Sequence, residues 1–74
     1  MKIVEETIFA LIYENDFVIS GSYNECKKLA IQCFKNNKDM VGEYRIHTFC
    51  KTYNEVHGGS IIRIFKEDGK IIIR

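Results

Sequence analysis

"GSYNECKKLAIQCFKNN", residues 21–37, is the stretch on which the fold turns. Ser22 is followed three residues later by Glu25, the pattern of a capping box that starts a helix. Tyr23, Cys26, Leu29, Ala30, Cys33 and Phe34 then recur at steps of three and four. That spacing gathers them into one apolar stripe on a helix, with Lys28, Gln32 and Lys35 on the opposite side. Ile31 falls off the stripe. Asn36 and Asn37 mark the end, because asparagine tolerates the left-handed conformation of a helix cap. No other segment carries a helical pattern, so everything else must be arranged around this element.

Towards the N-terminus, "ETIFALIYE" (residues 6–14) is rich in apolar and aromatic residues and reads as a strand. Asn15-Asp16 turns it, and "FVIS" (residues 17–20) returns. Ile3 and Val4 extend the first strand or stand apart. Towards the C-terminus, "NKDMVGE" is a connector and "YRIHTFCKTY" (residues 44–53) is a strand. "NEVHGG" is a second connector. "SIIRIF" and "KIIIR" are strands joined through Asp68-Gly69, a strong hairpin signal. Either a two-residue type I′ loop or a longer type I turn with Gly69 as a bulge fits there. The choice decides which face Ile71 and Ile73 occupy. The order is β-β-α-β-β-β, an α+β fold of two layers: an antiparallel sheet with one amphipathic helix packed on one face. Residues 1–74 read as a single small domain, with no repeat, no proline and no linker.

One helix covers one face, yet the strands lack a clean polar side. Phe9, Leu11 and Tyr13 alternate with Ile8, Ala10 and Ile12, apolar on both sides. Ile62 and Ile64 oppose Ile61 and Phe65. An antiparallel sheet with a wet face should alternate apolar with polar. The surplus predicts an interaction surface and a homo-oligomer, a dimer, with Ile31, Ile71, Ile72 and Ile73 as its expected contact residues. A chain of 74 residues buries a marginal core, and a second subunit would support it.

Composition narrows the function classes. Apolar residues at 46% and charged residues at 28% describe a folded chain rather than a disordered one. The apolar runs are far below the roughly 20 residues that cross a bilayer, which predicts no membrane partner. Glu5 and Glu6 would interrupt a signal peptide, and three cysteines are an odd count without metal-ligand spacing. Both features predict reduced thiols and a cytoplasmic setting, with no metal site and no cofactor. The net charge of +1 hides an asymmetry: five of ten acids, but one of eleven bases, precede Cys26.

Two clusters are candidates for function. Arg45, His47, Phe49, Lys51 and Tyr53 share one face of a strand at period two, leaving Tyr44, Ile46, Thr48 and Cys50 for the helix. Arg63, on a neighbouring strand facing the same way, would extend the patch. Basic and aromatic residues interleaved on a sheet can stack bases and neutralise phosphates. The second is "HGGS": His57, Gly58, Gly59 and Ser60. Flexible backbone N–H groups suit an anion, but a phosphate loop would lead into a helix. The simpler reading is a strand connection, with a loop closing on a ligand or partner as the alternative. No motif ties a histidine, serine or cysteine into catalytic machinery, so the chain is not expected to be an enzyme.

The hairpin-then-helix start, with Gly21-Ser22 and the amphipathic helix, is similar to the sheet-and-helix arms of some phage integrases, over roughly a third of the chain. No residue role follows from that likeness. The leading functional expectation is a non-enzymatic binding module, an oligomeric inhibitor or sequestering protein of phage or mobile-element type. Its partner would be a host protein or a small anionic ligand. The alternative is a single-stranded nucleic-acid-binding module using the basic-aromatic strand face.

Overall fold

The computed structural model describes residues 8–39 and 41–74 (for His57, the backbone alone). Among these residues, five strands and one helix follow one another as β1 (Ile8–Tyr13), β2 (Asp16–Gly21), α1 (Tyr23–Asn36), β3 (Tyr44–Cys50), β4 (Glu55–Glu67) and β5 (Lys70–Ile73). The strands form one antiparallel sheet in the order β2-β1-β3-β4-β5, and α1 packs on one of its faces. This is the α+β architecture expected from the sequence. Ile3, Val4 and the start of the "ETIFALIYE" segment lie outside the described residues.

The helix begins where the capping pattern put it. Ser22 Oγ accepts from the Glu25 amide at 3.1 Å, and its hydroxyl donates to Glu25 Oε1 at 3.2 Å. One orphan amide of the first turn is thereby satisfied. The helix ends at Asn36 as expected, but not for the expected reason. Asn37 is extended, at φ −126°, rather than left-handed. Its amide still bonds to Cys33 O at 2.9 Å, and its side-chain oxygen accepts from the Asp39 amide at 3.3 Å. Asparagine stops this helix by turning the chain with its side chain.

Leu11, Cys26, Ala30, Phe34, Tyr44, Ile46 and Ile64 form the buried core. Phe34 sits edge-on to Tyr44, with ring centroids 5.4 Å apart. Phe9, Tyr13, Tyr23, Leu29, Cys33, Ile62 and Ile71 pack around them. The apolar stripe of the helix meets the strand face that carries Leu11, Ile46 and Ile64.

Turns account for the differences from the sequence reading. Glu14-Asn15, not Asn15-Asp16, closes the first hairpin, with Tyr13 paired to Asp16 and Glu14 at φ 58°. Val18 is an extra residue between the pairs Leu11–Ile19 and Ile12–Phe17. This bulge lets Val18 and Ile19 both pack on the core. Asp68 and Gly69, at φ 52° and 76°, form a two-residue loop between the paired Glu67 and Lys70. Positive φ at both positions makes it type I′. Ile71 and Ile73 therefore fall on the helix side, opposite Lys66 and Ile64.

The third connection is the main correction. β3 ends at Cys50, which pairs with Glu55, so residues 51–54 are the turn. "NEVHGG" is not a connector. From Glu55 it belongs to a 13-residue strand, β4. A chain that turns at Asn54, φ 53°, returns at once into pairing. The two glycines serve a bulge inside that strand.

A candidate anion-binding face

The register assigns each side chain to a face. Opposite the helix lie Ile8, Ala10 and Ile12 of β1, and Arg45, His47 and Phe49 of β3. Val56, Arg63 and Phe65 of β4 and Ile72 of β5 join them. Phe17 of β2 pairs with Ile12. Among the described residues, no helix covers this face. Ala10 is fully buried but stands apart from the helix-side core, between the paired Ser20 and His47.

Across this face runs one row of three arginines. Arg45 of β3 is the register partner of Arg63 of β4. Arg63 and Arg74 exchange both backbone hydrogen bonds, at 2.7 and 2.9 Å, so they too lie directly opposite. Adjacent strands are ~4.8 Å apart, which puts three guanidinium stems on consecutive rungs. Like charges directly opposite on a sheet are unfavourable. One carboxylate offsets part of that: Glu43 Oε2 accepts from Arg45 Nε at 2.9 Å, and Glu43 Oε1 accepts from Arg63 Nε at 2.6 Å. Partial burial alone would raise the Glu43 carboxyl. The hydrogen bonds from Arg63 and Arg45, with their charges, outweigh it and hold the group below its usual value.

Both bonds run through Nε, so among the described residues each guanidinium keeps its Nη groups for a further acceptor. Phe65 fixes the other end of the row. The Arg63 and Arg74 guanidinium carbons lie 5.4 and 5.7 Å from its ring centroid, within cation–π range. Arg74 forms no ion pair among the described residues.

Glu43 is itself held from behind. The Tyr13 hydroxyl accepts from the Gly42 amide at 3.1 Å, and Glu14 Oε1 accepts from the Glu43 amide at 3.2 Å. The Glu14 amide donates to Glu43 O at 3.1 Å. A Cβ at residue 42 would collide with the Tyr13 ring and hydroxyl and with the Glu14 carboxylate. Glycine at this position is what lets the first hairpin clasp the connector. The sequence signal for it is weak, a single glycine in the connector "NKDMVGE".

Beside the row, His47 faces a gap in the β3–β4 ladder. Ile46 pairs with Ile62 and Thr48 with His57, so His47 opposes the four residues 58–61. Gly58, at φ 66°, makes this wide bulge feasible, and no atom approaches either glycine where a side chain would begin. His47 Nδ1 is buried without a hydrogen-bond partner among the described residues. At the other end of the face, the Phe17 and Phe49 rings lie tilted at 42° to each other with centroids 5.8 Å apart. With Ile12, Asn15, Asn54, Glu55 and Val56 they line a shallow groove of about 350 Å³.

The structure thus brings Arg45, His47, Phe49 and Arg63 together, and adds Phe65 and Arg74, which the sequence reading did not include. Lys51 and Tyr53 are in the turn rather than on the strand face, and Tyr53 is 73% exposed. Ile31 lies on the outer side of α1, Ile71 and Ile73 on the helix side of the sheet and Ile72 on the opposite side. These four do not form one patch.

Comparison with protein-family models, with curated proteins and with solved structures finds no match for this chain. The site's chemistry must be argued from its own residues. Burial, and then the Glu25 charge, push the Cys26 thiol up, away from reactivity. Among the described residues, no three of histidine, cysteine, aspartate and glutamate lie close enough to hold a metal ion. No helix among them is long and apolar enough to cross a membrane.

Proposed function

We propose that this chain is a non-catalytic binding module that holds an anionic partner on the helix-free face of its sheet. The observation that carries the reading is the row Arg45–Arg63–Arg74, three guanidiniums on three neighbouring strands with one carboxylate among them. Such a row is unfavourable without a counter-charge, and Glu43 leaves the Nη groups unspent. Arginine suits planar, bidentate recognition of carboxylate or phosphate. An inhibitor or sequestering protein, including one of phage or mobile-element type, would need only such a rigid face to occlude its target.

A homodimer belongs to this reading at an edge strand, β2 or β5, rather than at the face. Burying the helix-free face against its own copy would take both arginine rows out of water with a single carboxylate each, an arrangement with a large desolvation penalty. The three free cysteines support a reducing, cytoplasmic setting.

Retention on an immobilised polyanion such as dextran sulfate tests the proposal. The wild-type protein should be retained at low salt. Joint replacement of Arg45, Arg63 and Arg74 by glutamine should abolish retention, while Lys27→Gln with Lys28→Gln on the helix should not. Equal loss in both variants would leave only non-specific charge attraction. Light scattering on the same samples reads the dimer: a mass of one chain at all concentrations would remove it.

A further inference from the structure

We infer that the partner of the arginine row is single-stranded nucleic acid, with phosphates on Arg45, Arg63 and Arg74 and bases against the aromatic rings of the same face. This inference rests on the anionic-partner reading and names its class. Three features favour a phosphodiester strand over an acidic protein surface.

The first is regularity. The three arginines share one register row on three consecutive strands, so their Cα atoms form a linear array at near-constant spacing. A nucleic-acid strand offers a linear array of charges in return, one per nucleotide. The second is the exposed donor edge. Glu43 takes the Nε donors and so orients both guanidiniums with the Nη groups left over. The Nη pair can fork onto two phosphate oxygens. Glu43 is a positioning residue here, and its own support by Tyr13 and Glu14 makes the orientation part of the fold.

The third is what flanks the row. Phe65 lies on one side of it, under Arg63 and Arg74. On the other side are His47 and then Phe49, whose ring centroid lies 5.8 Å from that of the 55% exposed Phe17 at the β2 end of the row. Rings on a sheet face accept bases only when those bases are unstacked, which excludes an intact duplex from this mode. The bulge at residues 58–61 adds backbone that carries no side-chain obstruction at its two glycines, so a strand can approach closely beside His47.

Fluorescence anisotropy with a labelled oligothymidylate of about 16 nucleotides tests this. Binding should weaken with salt at a log–log slope near −2, since each phosphate neutralised on a single strand contributes about −0.7. Arg63→Gln and Arg74→Gln should each flatten the slope by about 0.7. Phe17→Leu should weaken binding severalfold without changing the slope, because stacking releases no counterions. Lys28→Gln should change neither. Polyglutamate and a duplex of matched length are the other arms. Row-dependent binding of polyglutamate with none of the oligothymidylate would overturn the nucleic-acid inference and leave the anionic-partner reading standing. Binding of none of them at low salt would overturn both. Equal affinity for duplex and single strand would overturn the stacking arrangement and with it the single-strand assignment. Should a variant fail to fold, amide shifts of the wild-type protein on adding oligothymidylate decide: residues 45, 63 and 74 must move, and a response centred on α1 would refute the site.

Discussion

The two faces of this sheet are built from the same strands and obey different rules. On the helix side, Leu11, Ile46 and Ile64 are fully buried against Cys26, Ala30 and Phe34. On the other side, the corresponding rungs carry Ile12, Arg45, Arg63 and Arg74, with Phe17, Phe49 and Phe65 around them. The first face is where apolar area leaves water and the fold gains its stability. The second combines apolar rings with unmatched positive charge, a mixture that neither packs internally nor solvates cleanly. A sheet one residue thick can therefore separate stability from recognition simply by alternation along each strand.

The largest expected effect breaks the first face. Phe34→Ala removes a fully buried ring that sits edge-on to Tyr44. It should cost about 3–5 kcal/mol in urea denaturation. Phe17→Ala on the opposite face removes a ring of the same size that is 55% exposed, and should cost about 1 kcal/mol or less. Equal losses would mean that both faces carry the fold and the comparison is wrong.

Next comes the clasp that joins the faces. Gly42→Ala puts a methyl group into the Tyr13 ring and the Glu14 carboxylate. Overpacking of this kind should cost about 1–3 kcal/mol, and it should shift the side-chain NMR signals of Arg45 and Arg63 by displacing Glu43. A neutral substitution would show that the connector can move without strain, leaving Glu43 loosely placed.

These two predictions differ in how visible they were beforehand. The helix, its buried stripe and the hairpin at Asp68-Gly69 follow from local patterns, because capping, 3.6-residue periodicity and positive φ are properties of short segments. The face shared by Arg45, His47, Phe49 and Arg63 was also legible, since period two fixes it once the strands exist. Gly42 was not, because its constraint comes from Tyr13, distant in sequence. Nor was the run of β4 through Gly58-Gly59. Glycines between apolar runs usually punctuate strands, and only the pairing of Val56 with Phe49 and of His57 with Thr48 shows that these lie inside one. Arg74 entered the site through register alone: the type I′ turn, undecided from sequence, is what sets it opposite Arg63.

A smaller effect concerns Glu43 and pH. The unfolded carboxyl titrates near 4.5, and the folded one lies lower. The stabilisation it confers is complete above the unfolded value and is lost as pH falls through the folded one. Wild-type protein should therefore lose stability as pH falls below about 4.5 by an amount that Glu43→Gln does not. Both arginine side chains are about half exposed, at 48% and 53%, so the difference should be under about 1 kcal/mol and should shrink in high salt. Identical pH profiles for the two proteins would show that Glu43 does not hold the row.

The smallest expected effect is the most telling. Arg74→Gln removes the one arginine of the row without a carboxylate partner among the described residues. It gives up a guanidinium near Phe65, worth about 0.5–1 kcal/mol at an exposed site. It also relieves the like charge of Arg63 directly across the strand pair, a term of similar size and opposite sign. The backbone bonds between the two residues do not depend on the side chain. Stability should thus stay within about 0.5 kcal/mol of wild type, even as polyanion binding weakens. If Arg74→Gln instead unfolds the protein, the arginine is part of the scaffold, and the helix-free face is held together by its charges rather than presenting them.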